Sequence, residues 1–254
     1  MTSDKPKTAI EVKSLDKHFG AIHAVRNISF SVNHGEVLGF LGPNGAGKST
    51  TMKMISGFIK PSHGTVIVNG HDVTVDPIKV KLSIGYLPEG APCYGEMTVA
   101  SFLNFIAEVR GFDGSERQQR VMLAVDKINL RSVLNQTIET LSKGYKRRVG
   151  VAQSILHDPY ILIMDEPTDG LDPNQKFEVR NLIKEMAKEK AIIISTHILE
   201  EVDAVCTRAI IIAEGQILFD GTPTELRSKS KDNDIDDAFR RITKDKSVTP
   251  VTLN

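Results

Sequence analysis

The sequence predicts an α/β fold: a parallel sheet covered by helices on both faces, an antiparallel β-subdomain beside it, and a helical subdomain set into it. Three observations predict it. Apolar runs rich in branched side chains, at residues 161–164, 191–195 and 209–213, alternate with helical patterns such as Phe177, Leu182, Ile183 and Met186. Residues 1–36 and 64–75 read instead as short strands and turns. Between residues 97 and 157 the spacing becomes helical.

Taken in order, Ile10-Glu11-Val12 and residues 25–32 are strands, followed by the turn Asn33-His34-Gly35. Residues 37–41 form an apolar run of strand length that leads straight into Gly42. A helix follows over residues 50–59, with Met52, Met54 and Ile55 at apolar spacing. Residues 64–70 give a strand between turn glycines. Val99, Phe102, Leu103 and Ile106 share one helical face. Ser115-Glu116-Arg117-Gln118 has the pattern of a capping box and opens a helix through Val121, Val125 and Ile128. The three branched runs then build the sheet. From Arg227 the chain is polar until Ile235, Ala238, Phe239 and Ile242 return to helical spacing. We expect one domain over residues 1–226, with its helical subdomain at about 91–157. Residues 227–254 are expected as a tail with a short helix at about 234–243, a loose linker and a disordered end.

Composition narrows the function. Of 254 residues, 32 are Lys or Arg and 32 are Asp or Glu, so no net field steers the chain toward nucleic acid or anionic lipid. No apolar stretch approaches the roughly 20 residues that span a bilayer, and residues 1–7 lack a signal-peptide core. Cys93 and Cys206 alone suggest a reducing compartment and no disulfide framework; each reads as a small apolar filler rather than a nucleophile.

The chemistry begins at Gly42-Pro43-Asn44-Gly45-Ala46-Gly47-Lys48-Ser49-Thr50, which fits G-x-x-x-x-G-K-[ST] between a strand and a helix. Glycines let backbone N–H groups turn toward phosphate oxygens, and the helix start adds its positive dipole end. Lys48 is placed to reach the β- and γ-phosphates of a nucleoside triphosphate, and Ser49 to offer its hydroxyl to Mg²⁺. The full spacing and flanks weigh against an incidental glycine turn. Asp165 and Glu166 end the run 161–164, at the edge where a parallel sheet binds ligands. Asp165 suits the Mg²⁺ shell and Glu166 an attacking water, the competing reading being two solvent-facing acids. His197 follows the run 192–196 at the same edge, where a γ-phosphate contact competes with a plain polar strand end.

In this order the motifs resemble the ATP-binding cassette (ABC) family from about residue 8 to residue 243. Gly42–Thr50 matches its Walker A loop, and Asp165-Glu166 its Walker B acid and catalytic glutamate. Leu141-Ser142-Lys143-Gly144 matches its signature, Asp172 its D-loop and His197 its switch histidine. Phe19 stands where the family stacks an aromatic on adenine, and residues 84–89 match the loop joining the core to the helical subdomain. Three positions depart. Phe19 replaces the usual Tyr; Ser142-Lys143-Gly144-Tyr145 replaces Ser-Gly-Gly-Gln, keeping Ser142 and Gly144; and Glu89 replaces a Gln. A charge at Glu89 favours a metal and opposes the γ-phosphate, so Glu89 either joins the metal shell with Ser49 and Asp165 or faces solvent or a partner.

The resemblance implies a P-loop NTPase core with a helical signature subdomain, and a Mg²⁺-dependent ATPase with ATP as its nucleotide. It implies a head-to-tail homodimer in the ATP state, with Ser142, Lys143 and Gly144 of one chain against the other's ATP. The implied role is to power a membrane exporter with a separate permease, of the gliding-motility or multidrug branch. The chain would then be cytoplasmic and held to the inner face of the membrane by its permease, without nucleic acid. The alternatives are an ABC ATPase driving a non-transport membrane or envelope process, one working on DNA or ribosomes, and a nucleotide-binding module without turnover.

Overall fold

The computed structural model describes residues 8–244. β1 (Thr8–Phe19) and β2 (Ile22–Asn33) form a hairpin, and β3 (Val37–Leu41) follows, buried along its whole length. α1 (Lys48–Ile55) leads to β4 (His63–Val68), β5 (His71–Asp72), α2 (Pro77–Ser83) and β6 (Ile84–Leu87). Three helices come next: α3 (Val99–Val109), α4 (Gly114–Lys127) and α5 (Lys143–Ile155). The chain then alternates through β7 (Ile161–Asp165), α6 (Pro173–Ala187), β8 (Ala191–Thr196), α7 (Leu199–Val205) and β9 (Arg208–Ala213). It finishes with β10 (Gln216–Gly221), α8 (Pro223–Arg227) and α9 (Ile235–Lys244).

Two sheets result. One is antiparallel with strand order β2-β1-β4-β5; the other has six strands in the order β10-β9-β3-β8-β7-β6. The larger sheet is parallel except for β10, which pairs antiparallel with β9. Alternation along each parallel strand divides the core. Leu162, Met164, Ile192 and Ile194 face the helical side with Phe102, Leu103, Val149 and Ile183. Ile161, Ile163, Ile193 and Phe40 face α1 and the antiparallel sheet, with Met54, Val66 and Val12. Both faces are covered, which is why these strands read as continuous apolar runs.

Five readings are corrected. β1 and β2 run 12 residues each, longer than the apolar pattern suggested, because bulges interrupt the register and blur the alternation. Residues 84–87, expected within a loop, form β6, an edge strand paired with β7 alone. A Cβ on Gly85 would lie 2.0 Å from the Ser154 carbonyl oxygen, so glycine permits the close approach of α5. α4 starts at Gly114 with Asp113 as its N-cap, so Ser115 lies inside the first turn and caps nothing. β10 was not anticipated; Glu214 and Gly215 both take positive φ (49° and 79°) and turn β9 back on itself. The linker to α9 is also built rather than loose. Ser230 is buried, its hydroxyl donates to Asp237 (2.8 Å), and Ala238 and Ile242 of α9 pack with Leu226 and Phe219. The expected disordered end, at 245–254, and the reading of residues 1–7 lie outside the described residues.

Candidate nucleotide site

β3, β7 and β8 lie side by side in the sheet, and their carboxyl ends bring three distant loops together. A cleft of about 290 Å³ opens there, lined by residues 44–50 together with Ala24, Glu89, Asp165 and Glu166. The glycine loop takes backbone that side chains oppose: φ is 158° at Gly42, 79° at Gly45 and 107° at Gly47. Space is as tight as torsion, since a Cβ on Gly42 would lie 2.1 Å from the Ile212 carbonyl oxygen and one on Gly47 2.6 Å from that of Ala24. Gly47 caps α1 without a side-chain bond, so the first N–H groups of α1 remain available to an anion. Lys48 folds back over this loop, its Nζ donating to the carbonyls of Gly42 (2.7 Å) and Pro43 (3.1 Å). Burial pulls its ammonium below the ordinary lysine range, while the carboxylates of Glu166, Asp165 and Glu89 act in the opposite direction. A cation with no carboxylate directly against it, facing three acids across a cleft, is poised for a phosphate and a metal.

The acids are held differently. Asp165 is 3% exposed at the end of β7, and the Ser195 hydroxyl of β8 donates to its Oδ1. Glu166 follows in a left-handed conformation (φ 52°), its N–H donating to the Ser195 carbonyl (3.0 Å). Such backbone is strained for a glutamate and turns its carboxylate out of the strand direction into the cleft. His197 stands across from it, with Nδ1 2.8 Å from Glu166 Oε1.

The signature residues sit elsewhere. Ser142 is the N-cap of α5 and accepts from the Tyr145 N–H (3.4 Å), Lys143 pairs with Asp169 (2.8 Å), and Gly144 packs against Gln175. None of the three lines the cleft around Lys48. Asp172 is the N-cap of α6, accepting from the Gln175 N–H (2.9 Å), so a helix-capping role is sufficient to explain it within one chain. Phe19 ends β1 with its ring 47% exposed and the Lys17 ammonium 4.9 Å from its centre. The ring is therefore free to stack.

Whether a divalent cation fits can be judged from the donors. Ser49, Asp165, Glu89 and Glu166 line one cleft and offer oxygen only, the donor set of a hard cation such as Mg²⁺. Glu89 is exposed and lines the cleft.

The sequence model of the ABC transporter family matches residues 25–169. The chain belongs to this family, as an ATP-binding subunit. It is 36% identical over 224 residues to the uncharacterized ABC transporter ATP-binding protein YxlF of Bacillus subtilis, covering 88% of this chain and 74% of that one. It is 34% identical over 229 residues to the probable multidrug ABC transporter ATP-binding protein YbhF of Escherichia coli, covering 90% of this chain but 39% of that longer protein. A solved structure described as the ATP binding subunit of an ABC transporter superposes with a TM-score of 0.84 at 29% identity, over 92% of this chain and 99% of that one.

In this ABC subunit, several supporting residues went unread in the sequence. Ser195 looked like the polar end of an apolar run, yet it fixes Asp165 through its hydroxyl and Glu166 through its carbonyl. Glu201, 2% exposed on α7, accepts from the hydroxyls of Thr168 and Thr196 (2.7 Å for the latter) and so ties the loop after Glu166 to the residue before His197. Burial raises the Glu201 carboxyl above its ordinary range. Arg147 is buried beside Asp169 (3.8 Å) and reaches the Asp165 carbonyl (3.4 Å). No local motif marks these three; only the fold brings them to the site. The cysteines do read as fillers, since burial holds the Cys93 thiol up at about 11 and raises that of Cys206 further.

Proposed function

We propose that this chain hydrolyses ATP with Mg²⁺ in a head-to-tail homodimer and that the cycle powers an exporter with a separate permease. The observation that carries the reading is the division of phosphate chemistry between two places. Lys48, Ser49, Asp165 and Glu166 line one cleft at the sheet edge, with His197 against Glu166, while Ser142 and Gly144 stand at the start of α5 and line none of that cleft. An anion-binding helix start without an anion of its own is completed by a second copy's ATP. When bound, Mg²⁺ would be held by Ser49 and Asp165, with Glu89 beside them, and would offset charge on the β- and γ-phosphates. Lys48 binds those phosphates. Glu166 accepts a proton from the attacking water, and His197 donates to the transferring group. Closure of the second copy over the cleft excludes bulk water and strengthens each of these contacts.

A membrane partner is supported by an apolar groove of about 500 Å³ beside β6, lined by Phe58, Ile78, Leu82, Ile106, Val109 and Arg110. Phe58 is 71% and Val109 67% exposed, a large apolar surface that suits an amphipathic helix of a partner. No helix among the described residues is long and apolar enough to cross a membrane. The chain would therefore sit at the cytoplasmic face of the membrane, docked through this groove. Its cassette would occupy residues 1–226, with 227–254 as an appended tail. Export follows the multidrug name of YbhF.

The test mixes two inactive variants. Lys48→Ala lacks the phosphate lysine and Ser142→Arg blocks the partner's ATP. Each alone should lose hydrolysis, while Ser142→Arg monomer should keep its ATP affinity. A mixed dimer has one composite site with both motifs intact, so mixing should restore part of the activity. No recovery on mixing, together with lost ATP affinity in Ser142→Arg, would place the signature at its own chain's nucleotide and overturn the reading.

A further inference from the structure

Outside the nucleotide cleft, the tip of the β1–β2 hairpin gathers Asp16, His18 and His23, whose ligand atoms all lie within 4.8 Å of one another. His18 Nε2 is 3.1 Å from Asp16 Oδ1, and His23 Nε2 is 2.9 Å from Asp16 Oδ2. Cross-strand register sets His18 opposite His23, so both imidazoles leave the same face, and their rings stack at 3.8 Å. The carboxylate is held from behind, since Oδ2 also accepts from the Asn27 N–H (3.3 Å). Asp16 Oδ1 is buried with no hydrogen bond of its own, although it lies close to His18. Oδ2 hydrogen-bonds His23 Nε2, whereas the buried Oδ1 faces the His18 nitrogen without bonding geometry, and a plain ion pair leaves that oxygen unexplained.

Two neutral imidazoles and one carboxylate are borderline donors that suit Zn²⁺ and its neighbours and leave a fourth position for water. Bonds of about 2.0–2.2 Å in a tetrahedron put ligand atoms about 3.3 Å apart, and each imidazole nitrogen already lies near that distance from one oxygen of the shared carboxylate, His18 from Oδ1 and His23 from Oδ2. Coordination needs the stacked rings to fan apart; the His18 side chain, half-exposed, has room to turn.

The location gives the site a consequence. Phe19 directly follows His18, and Ala24, which lines the nucleotide cleft, directly follows His23. A metal held by both histidines would cross-link the chain on either side of the turn that presents Phe19. We propose that Asp16, His18 and His23 form a Zn²⁺-class metal site whose occupancy changes nucleotide affinity by fixing Phe19. The second half rests on the reading that Phe19 stacks on adenine.

The experiment uses the untagged full chain without nucleotide, titrated with Zn²⁺ by calorimetry and with Co²⁺ by visible absorption. A saturable site with a Kd of about 10 μM or tighter is expected, with tetrahedral Co²⁺ bands. His23→Gln and Asp16→Asn should each weaken it at least about tenfold. His71→Gln, which alters a histidine paired with Asp76 elsewhere, should not. Wild-type affinity no better than that of folded His23→Gln overturns the site. Affinity for a fluorescent ATP analogue should then shift about threefold or more on adding Zn²⁺, and should not shift in His23→Gln. Zn²⁺ binding without that shift overturns the coupling. If Phe19→Ala leaves analogue affinity unchanged, the fault lies with the stacking reading instead of the metal site.

Discussion

His197 Nδ1 lies 2.8 Å from Glu166 Oε1, so the histidine proposed to meet the γ-phosphate is held by the glutamate proposed to activate water. The contact fixes a tautomer: Nδ1 carries the hydrogen given to Glu166, and Nε2 of the neutral ring can only accept. A phosphate oxygen needs a donor. His197 must therefore release Glu166 if it is to turn an N–H toward a triphosphate. On the proposed mechanism, γ-phosphate binding is expected to break the Glu166–His197 contact. His197→Ala should keep ATP binding and lose about 10²-fold in hydrolysis, the usual cost of one donor to a developing charge. Turnover within threefold of wild type would remove His197 from the phosphate.

Glu166→Gln removes the base and keeps the shape. Hydrolysis should fall at least about 10²-fold. Because the γ-phosphate is no longer removed, the variant should elute as a dimer in gel filtration with ATP and Mg²⁺, and as a monomer with ADP. A monomer under both conditions would count against the composite site.

Glu89 shares the cleft with Ser49 and Asp165 and its charge acts on Lys48. Glu89→Gln should raise the Mg²⁺ concentration needed for half-maximal turnover, while maximal turnover stays within about tenfold, one 1.4 kcal/mol step. An unchanged Mg²⁺ titration would take Glu89 out of the metal shell and leave it a role at the partner surface.

Glu201 bonds two hydroxyls that hold both sides of the site. Glu201→Leu should lower stability by about 2 kcal/mol, since it leaves the buried hydroxyls of Thr168 and Thr196 without the carboxylate that accepts from them. Glu201→Gln keeps one acceptor oxygen and turns an amide N–H toward the other hydroxyl, which can accept, so it should retain most of the stability. Urea unfolding of both variants separates the two, and equal losses would show that the charge rather than the bonding matters.

The parallel sheet was legible because its strands are buried on both faces, so burial wrote continuous apolar runs at β7, β8 and β9. The glycine loop was legible because backbone geometry at Gly42 and Gly47 excludes any other residue. What escaped reading depends on partners far along the chain. Gly85 serves a close approach to Ser154 that no local pattern announces. Ser195 gains its importance only from lying beside Asp165 in the next strand. Asp16, His18 and His23 form no recognised spacing motif, because a bulged hairpin register brings them together.

The last prediction concerns stability and pH. His157 follows α5, with its Nε2 3.1 Å from the Ile84 carbonyl, which fixes Nε2 as the donor. Burial, with the nearby Arg110 cation, pushes its pKa down to about 4, against 6.5 for an ordinary histidine. The sign follows from proton counts. Between about pH 6.5 and 4 the unfolded chain binds a proton here and the folded chain does not. Stability is therefore full above about 6.5 and is lost as the pH falls toward 4. The shift of about 2.5 units bounds the loss at roughly 3 kcal/mol. Asp16 and Asp158 have carboxyls held below their ordinary value, so their own losses come at lower pH. His157→Gln keeps an N–H for the Ile84 carbonyl but cannot titrate. Thermal unfolding should show wild type losing more Tm than His157→Gln between pH 7.5 and 5. Parallel curves for the two proteins would mean that the folded chain protonates His157 as readily as the unfolded one.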